Sequence, residues 1–234
     1  MEIEKGIEIV DLALKYKNHL IISDLQLGYE DSLFASGVLV PSINLKSIKE
    51  RLEKIFSQVK DIDTVIINGD IKHEFGRITN QEWHETADFF EYILKKVKKI
   101  ILIKGNHDVV LGPLAKKKNI EVKEYYQLDN ITILHGHKII PNLSEVIVIG
   151  HEHPAVSFPE KPYEKFKCFL KGRWHNKTLI VMPSFTFLNE GSDVTKEQRL
   201  SPFLMNEEIG NYEVYAIEDK VYKFGKVNKL ASLV

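Results

Sequence analysis

Five short runs of β-branched and leucine residues, each closing on a carboxylate, an amide or an imidazole, constrain this chain more than any other feature. They span 19–24 (HLIISD), 64–70 (TVIINGD), 99–106 (KIILIKGN), 131–135 (ITILH) and 146–151 (VIVIGH). Short and apolar throughout, such runs read as strands covered on both faces. Stretches of helical period separate them. In 42–59, Pro41 and Ser42 supply start signals, and Ile48, Leu52, Ile55, Phe56 and Val59 recur at steps of three and four. In 80–97, Asn80 is the expected N-cap, with Trp83, Ala87, Phe90, Ile93, Leu94 and Val97 as the expected buried stripe. Strand and helix in alternation predict an α/β layered domain rather than a helical bundle.

The last third changes character. Runs 166–170 and 178–182 predict a hairpin around 172–177, and 212–217 pairs with 221–224 across 218–220. The connection 183–211 is long for a plain loop, which marks it, together with 158–165, as a place for specificity. With no linker or repeat, residues 1–234 are expected to form a single domain.

Composition narrows the partners. Against 33 Asp plus Glu stand 32 Lys plus Arg, a net charge of −1, so no broad basic face is expected to hold nucleic acid. The lysines at 95, 96, 98 and 99 read as a solvated helix end. A single cysteine, Cys168, excludes an intrachain disulfide, and the expected setting is cytoplasmic. No apolar run approaches the roughly 20 residues that a membrane helix needs, so no membrane partner is expected.

In open α/β sheets, ligands bind beyond the carboxyl ends of the strands. Asp24, Asp70, Asn106, His135 and His151 stand at those ends, with His107 and His153 close behind. Alone, each would be an ordinary strand cap or turn residue. Together, carboxylates, an amide and imidazoles make a donor set for first-row divalent ions. Glycines accompany them at Gly69-Asp70, Gly105-Asn106-His107-Asp108, His135-Gly136-His137 and Gly150-His151-Glu152-His153, where a missing Cβ permits tight turns and close approach. His151 and His153, two apart, are expected on one side of an extended segment, converging on two ions about 3.5–4 Å apart.

In these motifs the sequence resembles the calcineurin-like metallophosphoesterases, whose pattern runs Asp-any-His, Gly-Asp, Gly-Asn-His-Asp/Glu, His and Gly-His-any-His. Four of the five motifs are intact and in order. The continuations Gly-Asp-Ile-Lys-His-Glu-Phe (69–75) and Gly-His-Glu-His-Pro (150–154), with Lys-Cys-Phe-Leu (167–170) and Met-Pro-Ser-Phe (182–185), are similar to the Icc-related, DNA-ligase-associated branch. The resemblance implies a four-layer α/β/β/α sandwich with a two-metal site at one edge. By position, it puts Asp24, Asp70 and His153 on one ion, and Asp70, Asn106, His135 and His151 on the other. His107 would protonate the leaving oxygen, with Asp108 orienting its imidazole.

One motif departs from the pattern. The chain reads Asp24-Leu25-Gln26 where the family has a second histidine, so an amide oxygen, a weaker ligand, replaces an imidazole at the first ion. That shifts the expected cofactor toward two Mn²⁺ ions, with Zn²⁺, Ni²⁺ or Fe²⁺ as alternatives. His73 and His137 are weaker candidates for contact with substrate, as are Lys72 and Arg77. The implied activity is a phosphodiesterase acting on nucleotides or single-stranded or damaged DNA, by attack of a metal-bridged hydroxide with His107 as general acid. The alternatives are a phosphomonoesterase or pyrophosphate hydrolase on the same site and, in another class, a metal-poor protein-binding scaffold, for which Gln26 is the only sequence support.

Overall fold

The computed structural model describes residues 1–39, 43–76, 78–108, 111–158 and 160–231. Arg77 and the start signals Pro41 and Ser42 lie outside them.

Chain order divides the strands between two sheets. The first holds β1 (Glu2–Glu4), β2 (Ile7–Val10), β3 (Ala13–Tyr16), β4 (His19–Ile22), β5 (Thr64–Asn68), β6 (Lys99–Ile103) and β7 (Glu121–Lys123), side by side in sequence order. Strands β1 to β4 form an antiparallel meander, and β4 to β7 run parallel. The second sheet holds β8 (Tyr125–Leu128), β9 (Ile131–Leu134), β10 (Val146–Ile149), β11 (Pro154–Phe158), β12 (Lys161–Trp174), β13 (Lys177–Val181), β14 (Ser192–Asp193), β15 (Glu213–Ile217) and β16 (Val221–Lys226). Within it, β10 lies between β9 and β13, parallel to both.

Period-two alternation shows how the sheets stack. In the second sheet Val146, Val148, Phe169, Ile180, Tyr215 and Ile217 join one core with the residues of the first sheet. Their neighbours Ile147, Ile149, Cys168, Leu170, Leu179, Val181, Val214 and Ala216 face the opposite way, onto Val194, Phe203, Leu204 and Ile209. The first sheet is covered on its other side by α2 (Asn44–Gln58) and α3 (Asn80–Leu94), which pack on each other and, through α3, on β6. The fold is therefore the expected α/β sandwich. Its outer layer over the second sheet is irregular chain with one 3₁₀ turn (Ile209–Asn211) and the short helix Val227–Ala231. Among the described residues, no helix is long and apolar enough to cross a membrane.

Local details depart from the sequence reading. Thr79, not Asn80, caps α3, accepting from the Glu82 amide at 3.1 Å, while Glu82 Oε2 accepts from the Thr79 amide at 2.8 Å. Phe89 takes a buried place in that helix, and Leu94 is exposed. At the start of α2, Glu30 supplies the cap from the preceding short helix α1 (Tyr29–Ala35) by accepting from the Asn44 amide at 2.7 Å. The hairpin is also tighter than expected. Strand β12 runs on through Gly172 to Trp174, and the turn is His175-Asn176, both with left-handed φ. Gly172 belongs to the strand because the Tyr212 ring lies flat against it. A Cβ there would stand 2.3 Å from Tyr212 Cγ and Cδ1.

That contact makes a prediction. Tyr212 is buried and its hydroxyl donates to the Arg173 carbonyl at 3.0 Å, so its ring has little room to retreat. Gly172→Ala should lose about 1–3 kcal/mol of stability by overpacking, read as a lower urea midpoint.

Candidate metal centre

Parallel pairing sets the ends of β4, β5 and β6 at one edge of the first sheet, and those of β9 and β10 at the matching edge of the second. Just beyond these ends the backbone turns sharply. Asp24 (φ 55°), Gln26 (48°), Asp70 (43°), His151 (66°) and His153 (50°) all adopt left-handed conformations. His151 and His153 therefore do not lie along an extended segment. They occupy consecutive reversals that throw both rings toward the same place. Non-glycine residues in this region cost about 1–2 kcal/mol each, and such strain gathers where surrounding structure enforces a functional geometry. Two glycines permit the close approach. A Cβ on Gly150 would stand 1.9 Å from Ser23 Oγ and one on Gly105 2.0 Å from Asp70 Oδ1.

The result is a cluster that spans both sheets. Asp24 is fully buried; its Oδ2 accepts from Ser23 Oγ at 2.6 Å and from the His151 amide at 3.1 Å. Its Oδ1 lies 3.0 Å from His135 Nε2 and 3.2 Å from His153 Nε2. Burial opposes ionisation of Asp24, yet the His153 and His135 imidazoles outweigh it and hold the carboxyl well below its ordinary range. Asp70 Oδ1 accepts from the His107 amide at 3.1 Å, and its Oδ2 is 3.5 Å from His135 Nε2.

Ligand atoms of Asp70, His135 and His151 all lie within 4.8 Å of one another. Asn106 Oδ1, on the adjacent turn, is buried with no hydrogen-bond partner. Burial and the neighbouring His135 push the His151 pKa down to about 3, which keeps its ring neutral, as a metal ligand must be. One carboxylate, two imidazoles and an orphaned amide oxygen suit a first-row divalent ion.

The remaining candidates are placed as follows. His107 is anchored by its Nδ1 on the His73 carbonyl, which leaves Nε2 3.8 Å from Asp70 Oδ2. Asp108 does not orient that imidazole, contrary to the sequence reading. Its carboxylate turns inward, accepting from the amides of Gly105 at 2.9 Å and Ile71 at 3.1 Å, so it braces the turns that carry Asn106 and Asp70. Burial, reinforced by Asp70, pushes its pKa up to about 7. His73 serves His107 through its main chain, while its ring stacks on Tyr29 at 4.2 Å. His137 Nδ1 pairs with His135 Nδ1 at 3.0 Å. Lys72 is buried, not solvated, and donates to the Glu74 carbonyl.

Three residues escaped the sequence reading. Ser23 lies beside its partner in the chain and carries no motif of its own. Asn189 reaches in from the 183–211 connection, its Nδ2 2.9 Å from His153 Nδ1 and 3.5 Å from Gln26 Oε1. Only the unusual length of that connection hinted at it. Lys167 is half-buried on β12 and donates to the Ser184 carbonyl at 2.8 Å, the Ser184 hydroxyl at 2.9 Å and the Thr186 carbonyl. It thereby pins the segment that delivers Asn189.

Residues 18–209 match the sequence profile of the calcineurin-like phosphoesterases. The chain belongs to that family. Among solved structures it is similar to the nuclease MPE of Pseudomonas putida, at 18% identity over 92% of each chain with a TM-score of 0.66. It is also similar to Yfce, a phosphoesterase from E. coli, at 15% identity over 84% of this chain and 87% of that one, with a TM-score of 0.41. At 18% identity the likeness to the nuclease MPE speaks for the fold alone. No curated protein matches the sequence. As a calcineurin-like phosphoesterase, the chain has divalent metal ions as its implied cofactor, and the donor set around Asp70, His135 and His151 fits such an ion.

Lys167 yields a pH prediction. Burial, with Arg51 adding to it and Asp24 opposing, lowers the Lys167 pKa from 10.5 to about 7. Between those values the unfolded chain holds a proton that the folded chain has released. This group's contribution to stability therefore rises as pH climbs from about 7 toward 10.5 and is least below 7. Urea unfolding of metal-free protein at pH 7 and pH 9.5 should show this rise, and Lys167→Met should remove it.

Proposed function

We propose that this protein is a metal-dependent phosphodiesterase acting on nucleotides or single-stranded or damaged DNA, with His107 as the general acid. The observation that carries this reading is the posture of His107. Its Nδ1 is fixed on the His73 carbonyl and its Nε2 is directed to Asp70, while the side chain keeps about a quarter of its surface exposed, at 26%. An imidazole so held can meet a bound ester from solvent without joining the ligand set. Phosphodiesters expel a poor alkoxide, and a positioned acid that protonates the departing oxygen relieves that difficulty.

Divalent ions held by Asp70, Asn106, His135 and His151, and on the other side by Asp24, Gln26 and His153 with Asp70 shared, would supply Lewis-acid activation of phosphoryl oxygens and water. The chain's own part is to hold these donors at the sheet edges and to keep His107 facing them. Mn²⁺ is the proposed metal, because two amide oxygens stand among carboxylates and imidazoles. The shared fold with a structure described as a nuclease supports trying nucleic-acid diesters first.

With Mn²⁺ supplied, the protein should hydrolyse bis-p-nitrophenyl phosphate faster than p-nitrophenyl phosphate, and Asp70→Ala should abolish both. His107→Ala should cost about 10²–10⁴-fold on a dinucleotide. The loss should be smaller on bis-p-nitrophenyl phosphate, whose phenolate departs without a proton. Equal losses on both substrates would remove His107 from the acid role, and unchanged rates in both variants would refute the proposal.

A further inference from the structure

The two halves of the metal centre are unequally prepared, and the cause is Asn189. Its Oδ1 accepts from the Gly191 amide at 2.8 Å, a donor that cannot be exchanged, so the orientation of the amide is fixed. The NH₂ group must then face His153 Nδ1 at 2.9 Å and Gln26 Oε1 at 3.5 Å. Both are consequences for a metal ligand. A ring nitrogen that accepts from an amide holds a lone pair there, so the imidazole proton of neutral His153 sits on Nε2, the atom that would have to bind an ion. Nε2 lies 3.2 Å from Asp24 Oδ1 without a well-directed hydrogen bond. Gln26 offers one atom able to ligate, Oε1, and Asn189 Nδ2 faces it at 3.5 Å, competing for one of its two lone pairs.

The other half is less constrained. Asn106 Oδ1 is buried and unpartnered, and among the described residues the His151 ring has the His135 and His137 rings beside it and no side-chain amide held against it. His135 Nδ1 is paired with another imidazole, His137, which can accept as readily as donate. His135 Nε2 donates to Asp24 Oδ1 at 3.0 Å, yet because His137 can also accept, the His135 proton can pass to Nδ1 and free Nε2 for an ion.

We propose that this chain binds its two divalent ions unequally: one tightly at Asp70, Asn106, His135 and His151, and a second weakly at Asp24, Gln26 and His153 with Asp70 shared, where Asn189 holds His153 out of its binding form and engages Gln26. The inference rests on the metal-dependent reading above, but its test counts ions rather than turnover. Asn189 is a positioning residue in this account. Replacing it by aspartate reverses the polarity of its contact. A carboxylate accepts from Nδ1–H, frees Nε2 as a ligand and releases Gln26 Oε1, while still accepting from Gly191.

Mn²⁺ titration of the metal-free protein, followed by electron paramagnetic resonance of the free ion, should reveal one tight site per chain and a second at least tenfold weaker. Asn189→Asp should tighten the second site by about 10–100-fold, the usual scale for partners that orient a ligand. Gln26→His should tighten it independently and covers the case in which the first variant fails to fold, as judged by circular dichroism. Two equally tight ions in the unaltered protein would overturn the inference, as would a second site indifferent to both variants. Loss of diester hydrolysis with unequal binding intact would instead refute the catalytic reading and leave this one standing.

Discussion

A buried carboxylate has to be satisfied, and in this protein meeting that demand joins two sheets. Asp24 leaves the first sheet just after β4 and takes the Ser23 hydroxyl from its own strand. Every other partner, the His151 amide and the His135 and His153 rings, comes from the second sheet. An ionised group in such a place is tolerable only when its lone pairs are met by donors or cations. Removing one partner would strand the charge, so the sheet edges are held in one relative position. The Phe185 amide, donating to the Ser23 carbonyl at 2.8 Å, ties the same edge a second time.

From that junction the rest of the site follows. The strands are largely apolar, and β4, β5, β9 and β10 then reverse within a few positions through left-handed backbone. Each reversal turns a polar side chain into the gap between sheets instead of letting it run on toward solvent. Around these turns the supporting contacts are made by backbone amides and by residues of no conspicuous type. Asp108 braces the turns of Asp70 and Asn106 from beneath, the His73 carbonyl anchors His107, and Lys167 secures the chain that carries Asn189. The groups facing an ion or substrate are few, and those that aim them are more numerous.

Much of this was legible in the sequence. The buried strands announced themselves by β-branched runs, and the donors by their recurrence after those runs beside glycine. Sequence also made Gln26 stand out, because one motif broke where four held. Helix limits were read less well. Thr79 replaces Asn80 as a cap because the reciprocal partner, Glu82, sits three residues beyond threonine. Gly172 looked like a turn residue until Tyr212, forty positions away, was found to need its bare backbone.

Sequence by itself determined the class of fold, the identity of the donors and the strand ends on which they stand, because hydrophobic period and residue chemistry are local properties. Tertiary structure decided which donor meets which. Asp108 stands next to His107 in the chain, but the left-handed turn at Asp70 and the turn at Gly105 direct it to backbone amides instead. Asn189 stands 36 residues from His153 along the chain and 163 from Gln26, separations over which no periodicity carries information. Its hydrogen bonds exist because Lys167 and a glycine amide fix one loop against the sheet edge. How each candidate ligand is held depends on such long-range polar contacts, which residue types do not reveal.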